Sequence, residues 1–551
     1  MTRIIPLIGL LIFGQGWIEM TYAQSEGPRT RAEATNYEET SRYLDVVAFV
    51  DALGRGSSIL HMESFGETVE GRSLPLMVLA DPPITQPRDL LRSGKPAVFV
   101  MANIHGGEVE GKEAILQLAR RIVSGDLRLI LDDIVVLIAP IYNADGNEKF
   151  SLENRSRQNG PIGGVGTREN AAGLDLNRDY MKMESPEARS LIGLFNRWDS
   201  NVIVDLHTTN GSYHGYHLTY SPPLTPNADP RLIAFERQEL LPAVTETLER
   251  KHGIRAYYYG NFSRPPGSNE DVASGNRVWQ TFDHRPRFGN SYAGLRNRIA
   301  ILSEAFSYVD FAGRVSATAA FVEEILRFTA GHADEIVALT RSLDDAAVRR
   351  GLTSDSDRMG VRFETEASPG PVSILIGEVR PRTNPRSGRE MTAVIPDRFT
   401  PESMIEYGTF RPTRTALVPR AYLFRPEPAL AEITDRLIAH GLTVQEAVEA
   451  FTVEAQVFRI NEVDRATRPF EGHLTMRIEG QTVGEQTDFP AGTIIVRTAQ
   501  PLAALAFYLL EPESDDGLVN WNFLDDYLEV GGTYPIYKLT TDVTVATRTK
   551  R

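Results

Sequence analysis

The chain has no cysteine among its 551 residues. Disulfides are excluded, so the fold must be held by its core or by a metal, and a zinc site could use only His, Asp and Glu as ligands, never thiolates. It also has no basic run. Lys and Arg number 58 against 73 Asp and Glu, a formal net charge of −15; this argues against a nucleic-acid partner and favours solubility. Internal repeats and low-complexity tracts are absent as well. The early apolar stretch IIPLIGLLIF is too short to span a bilayer. Flanked by Arg3 and by Thr21-Tyr22-Ala23, it has the layout of a secretory signal cleaved after Ala23. Residues 1–23 are thus expected to direct export to the periplasm or medium, leaving no membrane span, with an uncleaved anchor as the alternative. Residues 24–42 are polar and expected to be flexible.

At this length two or three domains are expected. Tyr43–Met62 reads as a helix leading into a strand, and Glu67–Val78 as a hairpin turning at Gly71. Pro96–Met101 and Asp133–Ala139 are short β-branched runs of the kind buried on both faces of a parallel sheet. Ser-Pro-Glu opens a helix over Ser185–Trp198, Asn201–Leu206 is a strand, Pro230–His252 is mostly helix, Arg298–Leu302 is a strand and Ala319–Thr329 a helix. Alternating strands and helices predict an α/β domain with a largely parallel sheet over residues 43–345. Residues 346–551 read as a β-rich accessory region. Its strand-like runs include Tyr422–Phe424, Gly492–Val496 and Ala503–Leu510, and Gly441 closes one helix over Ala429–Ala439.

The chemistry concentrates where strands stop. After Pro96–Met101 comes His105-Gly106-Gly107-Glu108, where glycines allow a sharp turn that brings an imidazole and a carboxylate together. His207 closes the strand VIVDLH. His105, Glu108 and His207 would make a set with one coordination position left for water, the arrangement a catalytic zinc requires. His214 and His217 lie beyond that strand in a polar loop and are the weaker candidates. Between the ligands stands Asp175-Leu176-Asn177-Arg178, in which Arg178 and Asn177 suit a carboxylate. Asp175 can accept the second ring proton of a metal-bound histidine. Glu304 ends the apolar strand RIAILSE, where burial would raise its pKa and a cation would lower it. Residues 151–172 form a long polar, glycine-rich loop, a length that is usually functional.

In this order the motifs resemble the zinc metallocarboxypeptidases of the pancreatic carboxypeptidase A type, peptidase family M14, over roughly residues 45 to 340; the C-terminal 200 residues resemble only large bacterial members. The resemblance implies an α/β/α sandwich with a mixed eight-stranded sheet. It implies one zinc ion on His105, Glu108 and His207, Glu304 as general base and acid, and Asn177 with Arg178 on the terminal carboxylate of a peptide substrate. The arginine that polarises the scissile carbonyl falls to Arg155, with Arg157 as its competitor, and the tyrosine that closes over the substrate to Tyr292. Other readings of the same residues are a zinc deacylase of N-acyl amino acids related to aspartoacylase and succinylglutamate desuccinylase, a cell-wall peptide amidase, and an inactive module that binds peptide termini. Side-chain preference, the oligomeric state and the role of the second region are not encoded legibly.

Overall fold

The structure is a computed structural model that describes residues 27–209, 211–268, 277–353, 356–542 and 544–550; the signal segment expected over 1–23 lies outside them. Eight strands form the main sheet: β1 (Leu60–Glu67), β2 (Ser73–Leu79), β3 (Ala97–Ala102), β4 (Val135–Ala139), β5 (Val202–Thr209), β6 (Leu218–Ser221), β7 (Ala256–Tyr258) and β8 (Ile299–Phe306). Their order is β1-β2-β4-β3-β5-β8-β6-β7. The four central strands β4, β3, β5 and β8 run parallel, and antiparallel pairings at β2–β4 and β8–β6 make the sheet mixed. This is the expected sandwich.

Period-two alternation sorts the apolar residues of each central strand. Val98, Val100 and Ala102 point into a core shared with helices Glu110–Ser124, Leu241–His252 and Phe311–Gly331, while Phe99 and Met101 point to the other face, against helix Pro186–Trp198. Ser185 caps that last helix by accepting from Ala188 N–H, and Pro186 occupies its first turn, as its sequence predicts.

The C-terminal part is rich in strands. A seven-stranded sheet is built around Ala421–Phe424, and two long ribbons, Arg358–Glu366 with Thr409–Leu417 and Val372–Thr383 with Glu390–Met404, reach back over the first unit. Strand Glu406–Tyr407 pairs with Val278–Gln280 of the α/β part.

Three expectations need correction. Residues from Gly27 onward within the 24–42 segment are tied down rather than flexible: helix Arg31–Ala34 has a capping box from Thr30, and Thr40 and Ser41 donate to the buried Glu113 carboxylate at 2.7–3.0 Å. Helix Ala333–Thr353 runs through position 345, so the change of composition there falls inside an element. Ala503–Leu510 is a buried helix, not a strand. A short apolar run carries no period that separates the two, and its Ala and Leu content decides for the helix.

Candidate active site

His105, Glu108, His207 and Glu304 arrive at the carboxyl edge of the parallel strands, where open α/β sheets bind ligands. Beyond β3, Asn103 adopts a left-handed φ of 64°, and its amide donates to the carbonyls of His105 and Glu108 at 3.2 and 3.0 Å, which fixes the turn between them. A Cβ on Gly106 would stand 2.3 Å from the backbone of Gly146, and one on Gly107 2.7 Å from Gly166 O, so only glycine fits at either position. His207 lies near the end of β5, and Glu304 pairs with it in register on β8.

His105, Glu108 and His207 offer ligand atoms that all lie within 4.8 Å of one another, and all three residues are buried. Both Nδ1 atoms face the carboxylate, His105 at 2.9 Å from Oε1 and His207 at 3.1 Å from Oε2. Both Nε2 atoms face away, onto Asp175 at 3.1 Å and Asp205 at 2.9 Å. A carboxylate behind each imidazole fixes its orientation and directs the Nδ1 lone pair inward, which is what a bound divalent cation needs. Two imidazoles and one carboxylate suit zinc, so the residues present fit the group. Thr208 N–H donates to Glu108 Oε2 at 2.9 Å and aligns the carboxylate.

The charges are strongly coupled. Burial alone would raise the pKa of Glu108, but the charges of His105 and Arg155 and hydrogen bonds with both imidazoles hold it well below the usual range. His207 is pulled the other way by burial, and the charge and hydrogen bond of Asp205, with those of Glu108, raise it well above the usual imidazole value. Glu304 is pushed up to about 8, chiefly by burial and further by Glu108, against His207, Arg155 and Arg168. Its Oε2 is buried without a hydrogen-bond partner. A dication in the triad would pull this carboxyl down again.

A cavity of 470 Å³ opens over His105 and Glu108 and is walled by Arg155, Arg168, Asn177, Arg178, Tyr259 and Glu304. Arg155, at a left-handed φ of 49°, places a guanidinium nitrogen 2.7 Å from Glu108 Oε1, whereas Arg157 does not line this cavity. Asn177 accepts from Gly289 N–H at 3.2 Å through its amide oxygen, which leaves the amide nitrogen for a ligand. Arg178 stacks 4.0 Å over the Phe288 ring; its nearest carboxylate, Asp175, is 3.9 Å away. His214 packs on Phe306 at 3.9 Å between ring centroids, with its pKa driven down to about 3 by burial, and His217 accepts from Arg255 N–H; neither joins the triad.

Tyr292 does not reach the cavity. It is completely buried in helix Gly289–Leu295, with its hydroxyl 2.9 Å from His440 Nδ1. The tyrosine that does line the cavity is Tyr259, just past β7, whose hydroxyl accepts from Asn261 at 3.1 Å and is pushed up to about 12 by burial and the charge of Glu304. Sequence reasoning missed it, along with Arg168, which grips Asp175 at 2.7 Å, and Asp205. Asp205 had a readable signal, since two residues before His207 on a strand puts both on one face. Arg168 sits in an aperiodic loop that offers none.

Comparison with known proteins finds similar chains. Residues 46–277 match the peptidase M14 family model, zinc carboxypeptidase. Carboxypeptidase 2 of Trichophyton equinum is 23% identical over 521 residues, covering 89% of this chain and 85% of the relative. Carboxypeptidase M of Mus musculus is 32% identical over 139 residues, 24% of this chain and 29% of that protein. Among solved structures, a metallo-carboxypeptidase from Burkholderia cenocepacia covers 53% of this chain and 70% of its own, at 18% identity and a TM-score of 0.39. Three relatives similar over most of the length are fungal carboxypeptidases. Over residues 46–277, under half of its length, this chain is similar to the zinc carboxypeptidases.

Proposed function

We propose that this enzyme removes the C-terminal residue of peptides, with one zinc ion held by His105, Glu108 and His207 and with Glu304 moving the proton. One observation carries the reading: Asn177, Arg178 and Glu304, whose Oε2 is buried without a partner, line one cavity with His105 and Glu108 of the triad. When bound, zinc supplies a Lewis acid that polarises the scissile carbonyl and acidifies water. Asn177 and Arg178 hold the free carboxylate of the last residue, which sets the preceding peptide bond against the triad and disfavours internal bonds. Arg155 donates to the carbonyl oxygen as negative charge develops there. Glu304 takes one proton from the attacking water; the water oxygen bonds to the carbonyl carbon, the C–N bond breaks, and Glu304 returns the proton to the departing amine. Asp175 and Asp205 keep the two imidazoles oriented throughout.

Arg155 stands 2.7 Å from Glu108 Oε1, which places its guanidinium beside the triad, within reach of a carbonyl oxygen brought there. Export belongs to the same proposal and rests on the signal-like residues 1–23; among the described residues no helix is long and apolar enough to cross a membrane.

The test is Glu304→Gln. It should leave zinc content unchanged and lower turnover of a blocked dipeptide by about 10²–10⁴-fold, the usual contribution of a positioned proton carrier. A fully active variant would remove Glu304 from the mechanism. Blocked dipeptides and acylated amino acids assayed side by side separate peptidase from deacylase.

A further inference from the structure

A second cavity, of 630 Å³, adjoins the first and shares Arg178, Asp283 and Phe288 with it as a common wall. Five arginines line it: Arg178, Arg285, Arg287, Arg362 and Arg477. They come from both parts of the chain. Arg362 stands on the ribbon strand Arg358–Glu366 and Arg477 on strand Met476–Phe489. Three aspartates share the lining, Asp283, Asp464 and Asp515, so the walls carry an excess of two positive charges (five less three).

Salt bridges shorter than 3.5 Å hold three of the five arginines, and among the described residues Arg178 and Arg477 are left with no carboxylate that close. Arg287 is neutralised by the buried Asp516 at 2.7 Å, and Arg285 by Asp283 at 3.0 Å. Asp515 is held by His284 at 3.0 Å and by the Tyr508 hydroxyl at 2.7 Å. Arg362 leans on Glu479 at 2.5 Å, outside the lining. Arg477 is exposed and forms no salt bridge among the described residues. Arg178 donates to the Asn177 carbonyl at 2.7 Å, and its nearest carboxylate, Asp175, is 3.9 Å away. Guanidinium groups with no close carboxylate, set in a cavity partly screened from water, attract an anionic group more strongly than those on an open surface do.

Position decides which anion. If Arg178 holds the terminal carboxylate of the substrate, the Cα one bond away carries its side chain beside the shared wall, on the side of Arg178 away from the triad. Resting on the carboxypeptidase reading above, we propose that the arginine-lined cavity is the recognition site for an acidic side chain, and that the enzyme prefers peptides ending in glutamate or aspartate. The C-terminal part is then a specificity element, because two of the five arginines belong to it. A cavity larger than one side chain is filled by water that bridges the carboxylate to the more distant guanidinium groups.

The test uses the zinc-loaded full chain and four benzoyl-glycyl dipeptides ending in Glu, Gln, Phe and Lys. Gln matches Glu in shape and lacks its charge. Expected is a kcat/KM for the Glu peptide at least about tenfold above the Gln peptide, with the Lys peptide slowest, and a preference that shrinks as salt rises. Arg477→Glu, an exposed position that the fold tolerates, should lower the Glu-to-Gln ratio through KM, and Arg362→Gln should lower it in the same direction. Equal turnover of the Glu and Gln peptides, or a ratio unmoved by both variants, overturns the acidic-subsite proposal and leaves the carboxypeptidase reading intact. Failure to cleave any of the four overturns both.

Discussion

Asp205 offers the sharpest test of how the triad is held. Its Oδ2 stands 2.9 Å from His207 Nε2, and its Oδ1 is buried with no hydrogen-bond partner. In Asp205→Asn an amide replaces the carboxylate without change of volume. If the amide oxygen takes the Oδ2 position, His207 keeps an acceptor but loses the charge behind it. The amide nitrogen then lies where nothing can accept from it, at a cost of about 1–3 kcal/mol to folding. If the amide nitrogen takes the Oδ2 position, Nε2 must become the acceptor, the ring proton moves to Nδ1, and the ligand atom is blocked. Either way zinc is held less well. Loss of such a partner typically weakens metal binding by about 10–100-fold, or roughly 1.4–2.8 kcal/mol. Asp205→Ala removes the acceptor altogether and should fall at the weaker end. The assay is zinc affinity by competition with a chromogenic chelator at one pH, run beside thermal unfolding of the zinc-free protein. Loss of stability with zinc affinity within twofold of the parent in both variants would show that Asp205 supports β5 and not the metal site.

Other outcomes follow from particular contacts. Tyr292→Phe should leave kcat/KM on blocked dipeptides unaltered while lowering unfolding free energy by about 1 kcal/mol, because the lost hydroxyl serves His440 and not the cavity; a large rise in KM would return this tyrosine to the substrate. Gly106→Ala drives a methyl group against the backbone of Gly146 and should destabilise by about 1–3 kcal/mol while weakening zinc retention, both readable from one denaturation series with and without metal. Glu184 is raised by burial but brought down to about 2 by the hydrogen bond with His473 and by Lys182. A carboxylate depressed in the folded state stabilises above its usual value of 4.5 and loses that contribution as pH falls towards 2. With the side chain 29% exposed, Glu184→Gln should cost about 1–2 kcal/mol at pH 6, and urea midpoints of parent and variant should converge near pH 2.

The central strands were legible because each is a short β-branched run that stops at a polar residue, and the candidate ligands stand at those stops. Helix Pro186–Trp198 was legible from its Ser-Pro-Glu start. What escaped had no period to read. Tyr259 and Arg168 enter the cavity from a strand end and from a long loop, and their placement depends on packing partners far away in sequence. Tyr292 stands closer in sequence to Glu304 than the family's tyrosine does to its glutamate, and helix Gly289–Leu295 turns its ring into the core beneath the sheet. Ala503–Leu510 failed for another reason: a run apolar on every side looks the same to either period.

The two parts of the chain cannot be treated as a catalytic unit with an appendage. The apolar cluster on the Phe99 face of the sheet continues through Leu194 and Trp198 into Tyr422, Leu437 and Trp521 without a break. His440 of the second part receives the Tyr292 hydroxyl, and its backbone carbonyl accepts from Arg296 at 3.0 Å. Ribbon Glu390–Met404 donates from Val394 to the carbonyl of Tyr308, four residues beyond Glu304. Burial of this kind is what a single core does, so the second part sets the shape of the sheet face beneath the site as well as one wall beside it. On the proposed function that arrangement gives a physical reason for a long second region: Arg362 and Arg477 come from it to line the cavity beyond Arg178, which no strand of the main sheet reaches.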